Sequence, residues 1–171
     1  MIRTRMAVPG DAPELVRLRR LMFTAMDGRD EPGRWERDAE RIARRELHAA
    51  AGADEADAAR SGTRLGAFVV DGDAPGPAHL AACAVGRIEE RLPAPKHPAG
   101  RFGFIFSVCT DERYRGRGCA RATTEALLDW FAGHGVTRVD LHASADAERL
   151  YRSMGFAEHS IALSLDLSRR R

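Results

Sequence analysis

The period of the apolar positions changes several times along the chain, and each change marks a new element. Ile2 to Met6 alternates apolar with basic residues and gives way to Pro9-Gly10, the pattern of a first strand. Asp11 is placed to cap a helix in which Leu15, Leu18, Leu21, Met22 and Met26 recur at three- and four-residue steps up to Asp27-Gly28. After a turn at Glu31 to Gly33, helical spacing resumes at Trp35, Ala39, Ile42, Ala43 and Leu47. Ala51 to Gly62 is small and polar, a linker to the strand Arg64 to Val70. Asp71-Gly72-Asp73 with Pro75 and Pro77 marks a hairpin connection, and His79 to Ile88 is the partner strand.

The second half is punctuated as clearly. Leu92 to Gly100 holds three prolines and a glycine and predicts a loop, long enough to shape a pocket. Phe102 to Thr110 is almost wholly apolar, as a central strand buried on both faces would be. Ala120, Thr123, Ala126, Leu127, Trp130 and Phe131 form a helical face that ends at Gly133-His134-Gly135. Val136 to Ala143 alternates, a strand with one face solvated or lining a site. Ser144 or Asp146 starts a helix with Ala147, Leu150, Tyr151 and Met154 on one face, closed by Gly155. Ile161, Leu163, Leu165 and Leu167 alternate with polar residues and predict a final strand. Strand, two helices, three strands, helix, strand, helix, strand is the order of a mixed α/β or α+β sheet with helices on its faces.

Composition narrows the class. A chain of 171 residues, 44% hydrophobic and 30% charged, is sized for one soluble domain spanning residues 1–171 and excludes disorder or a fibrous class. The net charge of +2 lacks the basic excess of a nucleic-acid binder. Lys96 is the only lysine, and this arginine bias beside abundant alanine reads as a G+C-rich genome. Cys83, Cys109 and Cys119 lack the close pairing of zinc or redox motifs, so reduced thiols and no metal are expected. The start has no apolar signal core and no run reaches the roughly 20 residues of a membrane span, which makes a cytoplasmic protein the expectation.

The strongest chemical signal is Arg115 to Ala120, RGRGCA, where a buried strand enters a turn with alternating glycines and then a helix. A helix start presents unpaired N–H groups and partial positive charge, a receptor for phosphate. Gly116 and Gly118 let the backbone come close, and Arg113, Arg115, Arg117 and Arg121 add charge. A tight turn flanked by solvated arginines would read the same way. The spacing departs from the Walker loop, which needs a lysine here, and from Gly-x-Gly-x-x-Gly, because Arg121 stands where that fingerprint wants a small residue.

Val108 to Ala120, VCTDERYRGRGCA, resembles the acetyl-CoA signature of the GCN5-related N-acetyltransferase (GNAT) superfamily, Arg/Gln-x-x-Gly-x-Gly/Ala after a strand. Ser144 to Phe156, SADAERLYRSMGF, is similar to that family's Asn-x-x-Ala-x-x-Leu-Tyr-x-x-x-Gly-Phe segment. The resemblance implies a mostly antiparallel sheet of six to seven strands flanked by about four helices. It implies acetyl-CoA as co-substrate, a primary amine as acceptor, and direct transfer. Val108 and Thr110, with Cys109 between them, would hold the pantetheine arm through backbone groups, and the amides of Arg115, Gly116, Arg117, Gly118, Cys119 and Ala120 the pyrophosphate. Tyr151 would protonate the departing thiolate, a role open to a phenol of pKa about 10, although its spacing alone also suits a core residue. Ser144 stands where the family has asparagine and lacks the amide's paired donor and acceptor.

No general base is assigned: Glu89, Glu90, Asp111, Glu112 and a water chain through Ser107 are candidates. Cys109 or Cys119 as an acyl carrier, and His142 near the cleft, are weaker readings than buried thiols and a surface histidine. Asp30, Glu31, Asp38 and Glu40 could attract a cationic acceptor, but arginines interleave them. A homodimer is expected, with no nucleic-acid or membrane partner. The rival from another class is a non-catalytic acyl-CoA-binding or sensing module.

Overall fold

The computed structural model describes residues 1–52 and 63–170; most of the expected linker, residues 53–62, lies outside the described residues. Two compact units are present, Met1–Leu141 and His142–Arg171.

In the first unit, β1 (Arg5–Met6) is followed by a 3-10 turn at Pro9–Asp11 and by α1 (Ala12–Asp27) and α2 (Arg34–Gly52). Then come β2 (Thr63–Asp71), β3 (Leu80–Glu90) and β4 (Arg101–Thr110), a second 3-10 turn at Glu112–Tyr114, α3 (Cys119–Gly133) and β5 (Arg138–Leu141). The strands form one sheet in the order β1-β2-β3-β4-β5, antiparallel except for the parallel pair β4-β5. Parallel pairing there is what the intervening helix allows, since α3 carries the chain back across the sheet. The second unit holds α4 (Ala145–Ser153), so the described residues contain four α-helices.

Helix ends follow the local chemistry. Gly28 closes α1 in the left-handed conformation (φ 73°) and its N–H bonds the Thr24 carbonyl. Asp11 does not cap α1 with its side chain; its buried carboxylate accepts the Val8 N–H and pairs with Arg5.

Alternating residues of β2, β3 and β4 divide the core between the sheet's two faces. Leu65, Ala67, Val69, Cys83, Val85 and Cys109 pack with Leu15 and Leu18 of α1 and Leu47 of α2. On the other face α3 lies very close to the sheet: a Cβ at Gly66 would sit 2.5 Å from the Trp130 ring, and one at Gly103 2.9 Å from that of Phe131. Phe131 and Leu127 are wholly buried against this face, so truncating Phe131 to alanine would cost about 3–5 kcal/mol.

The sheet has five strands, fewer than the six to seven expected, because the final strand does not form. Ile161, Leu163, Leu165 and Leu167 are 86, 87, 72 and 61% exposed and belong to no ladder among the described residues. Alternation supplies the side-chain pattern of a strand, but a strand is completed by a partner edge, and the unit His142–Arg171 contains a helix and no strand among its described residues.

Candidate active site

The centre of the site is β4. Its pairing with β3 runs to Thr110, but its pairing with β5 stops at Ile105 opposite Leu141. From Phe106 to Thr110 one edge of β4 therefore carries backbone groups that no neighbouring strand of the sheet takes. The end of that pairing coincides with a β-bulge: Val85 faces Ser107 and Gly86 faces Ile105, leaving Phe106 as the extra residue. A bulge bends its strand and reverses the facing of every residue beyond it. Gly103 thus faces α3, while Ser107 and Cys109 face α1 and Phe106 packs beside them. The free edge includes Val108, Cys109 and Thr110, the residues expected along the pantetheine arm. The Thr110 hydroxyl is buried without a hydrogen-bond partner.

Beyond β4 the chain makes the anion loop. Gly116 (φ 75°) and Gly118 (φ 86°) are both left-handed. A Cβ at Gly116 would meet nothing within 4 Å, and at Gly118 only the Ile2 side chain at 3.5 Å, so the glycines are required by conformation rather than by crowding within the chain. Gly118 is the N-cap of α3, and no side chain caps that end. The amides of Gly116 to Ala120 donate to no acceptor among the described residues, so several N–H groups and the positive end of a 15-residue helix converge. Arg115 and Arg117 are exposed beside them, while Cys119 is buried.

The loop is braced by residues whose pairing is not local in sequence. Tyr114 is 6% exposed; its hydroxyl accepts the Asp73 and Ala74 N–H groups at 3.0 Å and donates to the Asp73 carboxylate. Asp111 accepts N–H groups from the Arg113 backbone and guanidinium and from Arg17 Nη1 at 2.7 Å. The Arg113 hydrogen bonds, then Arg17, hold the Asp111 carboxyl well below the usual carboxylate range despite its burial. Arg17 in turn pairs with Glu14, which accepts the Leu80 N–H at 2.8 Å. Burial raises the Glu14 pKa, but the bonds from Arg17 and Leu80 outweigh it and leave it lowered. A chain of charge-assisted bonds so runs from α1 through β3 to the turn before the loop.

Asp111 is therefore committed to two arginines and is a poor proton acceptor. Glu89 pairs with Arg91 at 2.8 Å, Glu90 and Glu112 are exposed, and the Ser107 hydroxyl accepts from Arg19. The thiols do not suit a nucleophile. Burial pushes Cys83 up to about 12 and Cys109 up to about 11, and raises Cys119. No His/Cys/Asp/Glu group able to hold a metal occurs among the described residues. No helix of the described residues is long and apolar enough to cross a membrane. A cleft of about 780 Å³ lies between Pro9 and the arginine face of α2, but none of its lining residues belongs to β4 or the loop.

In the C-terminal unit, Ser144 is the N-cap of α4, where its carbonyl accepts the Ala147 and Glu148 N–H groups; its side chain makes no capping bond. Tyr151 is 7% exposed and packs edge-on against Phe156 at 5.8 Å between centroids. Burial raises its pKa, so the phenol keeps its proton at neutral pH. His142 is exposed.

Residues 22–156 match the family model described as "Acetyltransferase (GNAT) family". Among curated proteins none matches the chain. Among solved structures, a predicted acetyltransferase with acetyl-CoA from Clostridium acetobutylicum is 20% identical at a TM-score of 0.74, with 98% of this chain and 97% of that one covered. A GCN5-related N-acetyltransferase from Ralstonia eutropha JMP134 is 21% identical at 0.70, covering 98% and 100%. Glucosamine-6-phosphate N-acetyltransferase from Arabidopsis thaliana is 18% identical at 0.68, covering 98% and 99%. The family model spans most of the chain, and the chain belongs to the acetyltransferase (GNAT) family.

Proposed function

We propose that the whole chain serves as one acetyl-CoA-dependent N-acetyltransferase domain that moves the acetyl group directly to a primary amine. The observation that carries this reading is the continuity of two binding elements, the free edge of β4 from Phe106 to Thr110 and the loop whose amides from Gly116 to Ala120 donate to no acceptor among the described residues. Acetyl-CoA has the complementary parts in the same order: an extended arm with alternating amide donors and acceptors, then a pyrophosphate. The arm pairs with Val108 and Thr110 across Cys109. The amides of Gly116 to Ala120 cradle the pyrophosphate, whereas the Arg115 N–H, expected to join them, is donated to the Glu112 carbonyl at 3.3 Å; Ser144 stands where the family's asparagine would touch the arm. The solved acetyltransferase from Clostridium acetobutylicum contains acetyl-CoA, which supports the choice of donor.

In the transfer the amine nitrogen attacks the thioester carbonyl carbon, a C–N bond forms and the C–S bond breaks. The Tyr151 phenol gives its proton to the leaving thiolate and regains one from solvent, and the proton lost by the amine passes to water. The raised pKa of Tyr151 keeps the donor form populated. The products are an N-acetyl amine and free CoA.

Release of CoA thiol from acetyl-CoA, followed across an amine panel with wild type and Tyr151→Phe, tests the proposal. The expected result is amine-dependent thiol release that falls about 100-fold or more in Tyr151→Phe with acetyl-CoA affinity kept. Normal turnover in the variant would remove Tyr151 from the mechanism. Tight acetyl-CoA binding with no amine-dependent release would make the chain a sensing module instead.

A further inference from the structure

Arg19 stands on the apolar stripe of α1, at i+4 from Leu15 and i−4 from Phe23, and it is half-buried. It reaches the part of β4 where the bulge turns Phe106 and Ser107 toward α1. Its Nη1 donates to the Ser107 hydroxyl and, at 3.5 Å, to the Phe106 carbonyl. Its guanidinium carbon lies 4.6 Å from the Phe23 ring centroid and 5.6 Å from that of Phe106. Two rings and a hydroxyl so hold the fork in place, while its Nε and Nη2 groups donate to nothing among the described residues.

Among the described residues Arg19 has no counter-ion. No carboxylate of the described residues comes within the 4.0 Å of an ion pair, whereas its neighbours Arg17 and Arg20 are matched by Glu14 and Asp111 and by Asp30 and Glu36. Desolvation lowers the guanidinium's pKa, and the Cys83 thiolate that would oppose this does not form at neutral pH, because burial pushes that thiol's pKa up to about 12. A half-buried cation without a partner is costly, and a planar fork with open donors suits a carboxylate or a phosphate.

The location gives this charge its purpose, and here the argument rests on the proposed function. With the pyrophosphate at the loop and the arm running back from Thr110, the acyl end is directed toward Phe106, four strand residues or about 13 Å away. The amine has to reach the acyl carbon there, beside Phe106 and Ser107, the two residues of β4 that Arg19 contacts. Several acids of the first two helices and of the turn between them are already matched by arginines: Glu31 pairs with Arg29, Asp38 with Arg34 and Arg41, Glu40 with Arg44, and Glu46 with Arg87. We infer that the acceptor is an amine that also carries an anionic group, a carboxylate or a phosphate, and that Arg19 binds this anion and so sets acceptor specificity.

The test is thiol release from acetyl-CoA with matched acceptors: amino acids against their methyl esters, O-phosphoethanolamine against ethanolamine, and spermidine as a polycation. Rates are referred to the concentration of unprotonated amine. At least one anionic member is expected to exceed its neutral partner about 30-fold in kcat/KM, and the pair that shows it tells carboxylate from phosphate. Arg19→Met should lower kcat/KM for the anionic member far more than for its neutral partner, so that the preference collapses toward one, and Arg19→Lys should restore part of it. The inference is overturned if no anionic member outpaces its partner, whether both are inert or the neutral one is faster. It is also overturned if Arg19→Met slows both members alike. A parallel titration separates the two levels: no acetyl-CoA binding by wild type defeats the transfer reading itself, whereas binding without anion preference defeats the inference alone.

Discussion

Replacing Gly116 by alanine isolates what the anion loop requires of its backbone. At φ 75° an L-residue is left-handed, which costs about 1–2 kcal/mol. Nothing lies within 4 Å of the new Cβ, so no steric contribution from within the chain is added. If the free protein holds the loop as described, the whole cost falls on stability, about 2–8 °C in Tm for a chain of this size. If the free loop relaxes instead, the cost reappears in binding as an affinity for acetyl-CoA about 5- to 30-fold weaker. The two losses together should come to about 1–2 kcal/mol however they divide. Differential scanning of the unliganded variant and calorimetric titration with acetyl-CoA measure both halves. Gly116→Asn supplies the control, since asparagine enters the left-handed region more readily. Asparagine costing as much as alanine, or alanine leaving both quantities at wild-type values, would refute the conformational account.

Tyr114→Phe leaves the Asp73 and Ala74 amides without their acceptor and should lower stability by about 1–3 kcal/mol, read by urea unfolding; an unchanged midpoint would mean that the hairpin does not brace the loop. For pH, Glu14 has a folded pKa lowered from 4.5, so its contribution is present above that value and lost as pH falls through the folded pKa. Glu14→Gln should accordingly be less stable than wild type at pH 7, with the gap closing below about pH 4.5, and a gap constant down to pH 3 would contradict the assignment.

The sequence was most readable where local period decides the element. The helical steps from Leu15 to Met26 and the apolar run Phe102 to Thr110 map onto α1 and β4. The bulge at Phe106 was hidden because both faces of that run are apolar and an inserted residue leaves no compositional mark. Ile161 to Leu167 misled for the complementary reason: alternation is local, while pairing depends on an edge elsewhere. The loop glycines are legible in the sequence, and the structure adds a second requirement there, the positive φ of Gly116 and Gly118. Tyr114 and the Glu14-Arg17-Asp111 chain escaped notice because their partners lie 41, 66 and 94 residues away. Arg19 did leave a signal, a charge set among Leu15, Met22 and Phe23 on an otherwise apolar stripe.

The central claim is that the β4 edge and the glycine loop together hold acetyl-CoA, and calorimetric titration of the wild-type protein with acetyl-CoA and with S-acetylpantetheine tests it most directly. One acetyl-CoA should bind per chain, raising stability by about 2.7 kcal/mol at 100 times its Kd, with S-acetylpantetheine far weaker because it offers no pyrophosphate to the loop. Equal affinity for the two ligands, or no binding of acetyl-CoA, would contradict the account.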